Sequence, residues 1–243
     1  MESFLQIFLL TTLGSLAGLV GGVLFLYNQT LGKILSSNSI PFATGVILGV
    51  TFFDLFPESV EGIGNTAFGV VLIVLISAFL FEEVVAHLHH HADGEEDLTA
   101  PLSLVVVGDT IHNFMDGVVI AASYLFNPSL GLVVAVATFL HEVPHEVGDF
   151  GLMLKGGWSK LRIILVNLAS ALSTYLGALL VLLFSSSIQE NLSVLLAGAA
   201  GLFLYIGATD LLPRVHQSKG NAFKKAALVT VGIILMWLVG RLK

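Results

Sequence analysis

His112, Asn113 and Asp116 form one short group of polar residues, and His141, Glu142, His145, Glu146 and Asp149 form a second. Imidazole nitrogens and carboxylate oxygens together suit Zn²⁺ and neighbouring divalent ions such as Fe²⁺ and Mn²⁺. Ca²⁺ and Mg²⁺ prefer oxygen ligands alone, so the histidines argue against them. The chain has no cysteine, which excludes thiolate metal sites, Fe–S clusters and disulfides. Spacing sharpens the picture, because residues four apart share one helix face. His112 pairs with Asp116 in this way, His141 with His145, and Glu142 with Glu146, with Asp149 continuing that side. Two facing helices could thus present imidazoles and carboxylates to one ion. Glu146 and Asp149 are candidate ligands that could equally orient imidazole N–H groups, as could Asp109, one turn before His112.

A second chemistry fits part of the same stretch. His141-Glu142-Val143-Pro144-His145 satisfies H-E-x-x-H, the pattern of zinc proteases, with Glu142 as general base and Asp116 as third ligand. An intramembrane metalloprotease is therefore the alternative reading. Against it, Pro144 removes a backbone N–H inside the helix that must hold both histidines. The first group also supplies more ligands than one catalytic zinc needs.

The elements that must position these groups are membrane spans. The chain of 243 residues is 56% hydrophobic and 11% charged, and its mean hydropathy is +0.94. A soluble domain carries about 25% charged residues. Eight apolar segments approach the ~20 residues a spanning helix needs: 3–27, 40–57, 66–87, 102–126, 130–154, 162–185, 192–212 and 223–241. The expected fold is an all-α integral membrane protein forming a single transmembrane domain over 1–243. The apolar start is read as a first span rather than a cleaved leader. The metal-type residues fall on spans 4 and 5, where a charge at the helix centre costs about 2.5–3.5 kcal/mol on insertion scales. A bound cation is the economical compensation. The lipid bilayer and divalent metal ions are the expected partners, and no nucleic acid is expected.

Basic residues set the orientation. With both termini outside, the inner loops hold Lys33, Lys155, Lys160, Arg162, Arg214, Lys219, Lys224 and Lys225, eight of the ten Lys and Arg. The expected location is a cell membrane, plasma or inner, crossed many times. An internal repeat fits: Asp54-Leu55-Phe56-Pro57 ends span 2 and Asp210-Leu211-Leu212-Pro213 ends span 7. Their opposite directions predict an inverted repeat of spans 1–3 and 6–8 around spans 4–5, common in transporters. Asp54 would then face outside and Asp210 inside, either as path carboxylates or as partners of helix ends or basic residues. A histidine-rich loop over 88–100 would be cytoplasmic and able to capture metal. Gly14, Gly18 and Gly22 mark a helix-packing face, and such faces permit a homodimer.

His112-Asn113-Phe114-Met115-Asp116-Gly117 and His141-Glu142-Val143-Pro144-His145-Glu146-Val147-Gly148-Asp149 resemble the signature motifs of the ZIP (Zrt/Irt-like) metal transporters. The second is similar to the H-E-x-P-H-E-x-G-D form of one large branch. The resemblance implies a transporter, not an enzyme, that moves Zn²⁺, and sometimes Fe²⁺, Mn²⁺ or Cd²⁺, into the cytoplasm. It implies a first metal site at His112, His141, Glu142 and His145, and a neighbouring one involving Asn113, Asp116, Glu142 and His145. Some relatives complete the second with a carboxylate on span 6, where this chain has Asn167, Ser170 and Ser173. The expectation is one strong site and a weaker transit site.

Overall fold

The computed structural model describes residues 2–90, 99–188, 191–218 and 220–241. Every element among them is a helix. Eight helices are long and apolar enough to cross a membrane: span 1 (Ser3–Tyr27), span 2 (Asn38–Ile63), span 3 (Thr66–Val84), span 4 (Val105–Phe126), span 5 (Pro128–Lys155), span 6 (Lys160–Leu183), span 7 (Leu192–Gln217) and span 8 (Ala222–Gly240). All eight coincide with the apolar segments of the sequence. The side chains of the expected histidine-rich loop lie outside the described residues.

Three local features depart from a plain reading of hydropathy. The polar stretch after Asn28 reads as a turn, yet a helix runs over Gln29–Val50 and continues into span 2. One non-helical residue, Asn28, suffices to reverse the chain, and polar residues at a membrane surface can stay helical. Span 1 is divided into Glu2–Gly14 and Leu19–Tyr27. Between them the Ser15 hydroxyl donates to the Ala171 carbonyl of span 6. Span 5, by contrast, is an unbroken helix through Pro144. The expected disruption does not occur, since proline removes a single N–H and the surrounding spans hold the helix on both sides of it.

Spans 2 and 7 share a further irregularity. Thr51–Leu55 and Ile206–Leu211 are π-helical turns. The Phe56 N–H reaches back to the Thr51 carbonyl, and the Leu212 N–H to the Gly207 carbonyl. Each wide turn ends two residues before a proline, Pro57 or Pro213, which has no N–H for the normal ladder. Asp54 and Asp210 each sit in one of these turns.

The spans associate in two sets. Spans 1, 4, 5 and 6 pack on one another, span 2 packs along span 8, and span 7 along span 3. Spans 2 and 5 join the sets. Spans 3 and 8 stand at the periphery, with only 11% of their apolar windows buried. Span 5 is the most enclosed, at 67%, so the polar residues it carries are held in the protein interior.

Candidate metal centre

Span 4 brings His112 and Asp116 to face His141 and Glu142 of span 5. The Nε2 atoms of the two histidines are 3.2 Å apart. His112 Nε2 lies 3.2 Å from Glu142 Oε1 and 3.8 Å from Asp116 Oδ2. His141 Nε2 lies 3.3 Å from Asp116 Oδ2 and 3.6 Å from Glu142 Oε1. Zinc bonds of about 2.0–2.2 Å to nitrogen and oxygen in a tetrahedron give ligand–ligand edges of about 3.3–3.6 Å. The five donor–donor distances, 3.2–3.8 Å, are thus close to the edges of one tetrahedral coordination shell.

Other contacts aim these donors. His141 Nδ1 is 3.0 Å from the Ala137 carbonyl. A carbonyl only accepts, so Nδ1 carries the proton and Nε2 turns its lone pair to the group. The His141 ring also meets Phe203 of span 7 edge-on, at 5.7 Å between centroids. Glu142 and Asp116 are each 1% exposed, and their carboxylate oxygens have no hydrogen-bond donor among the described residues. The His112 and His141 imidazoles lie 3.2–3.8 Å from them, and carboxylates this buried call for a positive charge, either a protonated imidazole or a metal ion. Gly18 of span 1 makes the approach possible from behind: a Cβ at that position would stand 2.7 Å from the Glu142 Cβ.

The remaining expected site residues fall elsewhere. His145 stacks on His112, with centroids 4.9 Å apart and rings 8° from parallel. Its Nδ1, however, points to Asp109 and Asp149, at 3.6 and 3.7 Å. The resemblance implied His145 in the first site and Asp116 only in its neighbour; in the structure Asp116 lies with His112, His141 and Glu142, and His145 Nδ1 lies with Asp109 and Asp149. Glu146 is buried and joins Asp109 and Glu142 in a carboxylate cluster. Asn113 has its amide spent. Its Nδ2 donates to the backbone oxygen and to Oδ1 of Asp109, both at 3.1 Å. Its Oδ1 accepts from Thr174 and lies 3.3 Å from the Ser15 hydroxyl. Ser15 and Thr174 escaped the sequence reading, because a lone hydroxyl in an apolar run carries no pattern of its own. On span 6, Ser173 donates to the Thr110 carbonyl and Asn167 to the Ile163 carbonyl. The Ser173 bond reaches span 4, whereas the Ile163 bond stays within span 6 and Asn167 reaches span 5 through Met153 Sδ; neither group meets the tetrahedral group. Asp54 is 1% exposed and lies against Gly240, while Asp210 pairs with Arg214 at 2.8 Å. Neither belongs to the ligand groups.

The geometry also bears on the protease alternative. Both histidines of H-E-x-x-H must reach one ion, yet His141 Nε2 and His145 Nδ1 serve different groups.

Comparison with known proteins agrees with the motifs. A profile of the family described as ZIP Zinc transporter matches residues 99–240. The chain is 30% identical to the zinc transporter ZIP13 of Pongo abelii over 263 residues, covering 96% of the chain and 79% of that protein. It is 41% identical over 137 residues to the human zinc transporter ZIP4, covering 56% of the chain and 21% of the relative. It is 33% identical over 147 residues to the Drosophila melanogaster zinc transporter foi, covering 59% of the chain and 21% of the relative. The chain thus spans about a fifth of the length of several relatives it matches and most of the length of another.

Proposed function

The chain belongs to the ZIP zinc transporter family, and on that premise we propose that it carries Zn²⁺ across a membrane through the site of His112, Asp116, His141 and Glu142. The observation that carries this reading is the tetrahedral spacing of four buried donor atoms on two spans. Transport is into the cytoplasm, with both termini outside, in a plasma or inner membrane. The concentration of basic residues in the inner loops supports that orientation. Fe²⁺, Mn²⁺ and Cd²⁺ share the N/O donor preference and are secondary substrates.

The two π-helical turns before Pro57 and Pro213, and the matching pairs of span 2 with span 8 and span 7 with span 3, favour an inverted repeat of spans 1–3 and 6–8 around spans 4–5. In such a fold, a shift of one set of spans against the other exposes the central site to each side in turn. Metal enters near Asp54, sheds water at the tetrahedral group, and leaves toward Asp210. There the histidine-rich loop captures it. The small-residue faces permit a homodimer.

The test is Zn²⁺ uptake into liposomes holding the purified chain and a trapped fluorescent indicator, beside the His141→Ala variant. Saturable uptake lost in the variant is expected. Tight Zn²⁺ binding without uptake would reject the transport reading.

A further inference from the structure

The ends of spans 1, 5 and 6 meet on one side of the bundle. Span 1 ends at Tyr27, span 5 ends at Lys155, and span 6 starts at Lys160. Beneath them Leu26, Phe150, Met153 and Ile163 share one buried apolar cluster. Gly157, at a φ of 82°, makes the tight turn between spans 5 and 6. The rim above the cluster carries Lys155, Lys160 and Arg162, all exposed. No acidic residue lies between Asp149 and Glu190. The first turn of span 6 therefore has no carboxylate to answer the positive end of its dipole.

Two other basic residues near the same ends of the spans are already engaged. Arg214 pairs with Asp210 at 2.8 Å, and Lys225 donates to the Val215 and Ser218 carbonyls. Lys155, Lys160 and Arg162 form no ion pair among the described residues. Lys160 instead stands 4.8 Å over the Tyr27 ring and Arg162 3.9 Å over the Trp158 ring. Such rings at span ends sit at headgroup level, and they hold the positive charges without neutralising them. Along span 6 from this rim, Leu161, Leu165, Leu168 and Leu172 follow in steps of four and three residues, and all are exposed. Residues at that spacing share one helix face. From Leu161 to Leu172 the stripe rises about 16 Å, which is one leaflet of a hydrocarbon core about 30 Å thick.

We propose that Lys155, Lys160 and Arg162 bind the headgroup of an anionic phospholipid whose acyl chain lies along the leucine stripe of span 6. The charge of the rim selects the headgroup. A phosphodiester with net negative charge answers three cations, whereas a zwitterionic lipid brings its own ammonium to the same rim. The guanidinium of Arg162 can take two phosphate oxygens at once. The proposed topology places this rim inside, where the leaflet is rich in anionic lipid. The lipid site is separate from the metal centre and stands whether or not the chain carries Zn²⁺. A lipid held here bridges the ends of spans 1, 5 and 6 in the folded chain alone, so it stabilises the fold by linkage.

The test is thermal unfolding of the purified full chain in detergent, titrated with dioleoylphosphatidylglycerol or dioleoylphosphatidylcholine. The anionic lipid should raise the unfolding midpoint in a saturable way, and the zwitterionic lipid far less at equal concentration. Each basic residue beside an anionic headgroup contributes roughly fivefold in affinity. Lys155→Gln with Lys160→Gln and Arg162→Gln should therefore weaken the response to phosphatidylglycerol on the order of a hundredfold. The lipid-free midpoint should stay the same, because all three side chains are exposed. Lys224→Gln, which removes an exposed cation at the start of span 8, should keep the full response. Raising the salt from about 0.1 M to 1 M shortens electrostatic reach from about 10 Å to 3 Å, so it should weaken the wild-type response without any substitution. Equal shifts from the two lipids, a full response in the triple variant, an equal loss in Lys224→Gln or indifference to salt would each overturn the site. An equal shift from glycerol 1-phosphate at the same concentration would show a site for free anions and overturn the lipid as its occupant.

Discussion

The Nε2 atoms of His112 and His141 stand 3.2 Å apart although they belong to different membrane spans. Two imidazole nitrogens meet this closely when a proton or a metal ion lies between them. The carboxylates of Glu142 and Asp116 lie against the same atoms, which suits either cation.

Replacing His141 by Ala removes one of four donors and the Ala137 contact that orients it. Affinity for Zn²⁺ should fall by more than the roughly 10–100-fold typical of losing an outer partner of a ligand. Isothermal titration of the purified variant checks this, and wild-type affinity would exclude His141 as a ligand.

The bonds of Asn113 suit a positioning role. Its amide ties Asp109 on span 4 to Ser15 of span 1 and Thr174 of span 6. Asn113→Ala should reduce Zn²⁺ affinity by about 10–100-fold while the number of bound ions stays the same. Loss of an ion from the stoichiometry would make Asn113 a ligand instead.

Gly18 is the point where span 1 touches the site. Gly18→Val would drive a side chain into Glu142. Overpacking of this kind costs about 1–3 kcal/mol. A lowered unfolding temperature in detergent, together with slower uptake, is the expected result. An unchanged melting curve would show that span 1 can move aside freely.

Orientation is directly testable because the chain contains no cysteine. A single Ser218→Cys at the inner end of span 7 should react with a membrane-impermeant maleimide only after the cells are opened. Labelling of intact cells would reverse the proposed topology.

Metal binding should weaken as pH falls, because a proton and a metal compete for the same imidazole lone pair. Zn²⁺ affinity measured from neutral pH downward should decline, and recover on return. A flat profile would indicate that carboxylates alone hold the ion.

Much of this was legible in the one-dimensional pattern. Eight apolar runs defined eight helices, because a spanning helix satisfies its backbone internally and so is governed by local length and hydropathy. The four-residue spacings of His112 with Asp116 and Glu142 with Glu146 put those groups on common faces, because helical periodicity is also local. The partition of the ligands was a different matter. His141 and His145 share a helix face and a motif, yet one closes a tetrahedron with Asp116 while the other turns to Asp109 and Asp149. Asn113 reads as a ligand from its motif, and its bonds to Asp109 and Thr174 come into view only in the packed structure. His141 and Phe203 lie far apart along the chain and meet only when span 7 packs beside span 5. Periodicity says which residues face the same way. Which donor meets which across two helices depends on rotation, depth and distance between them, and only tertiary packing decides those.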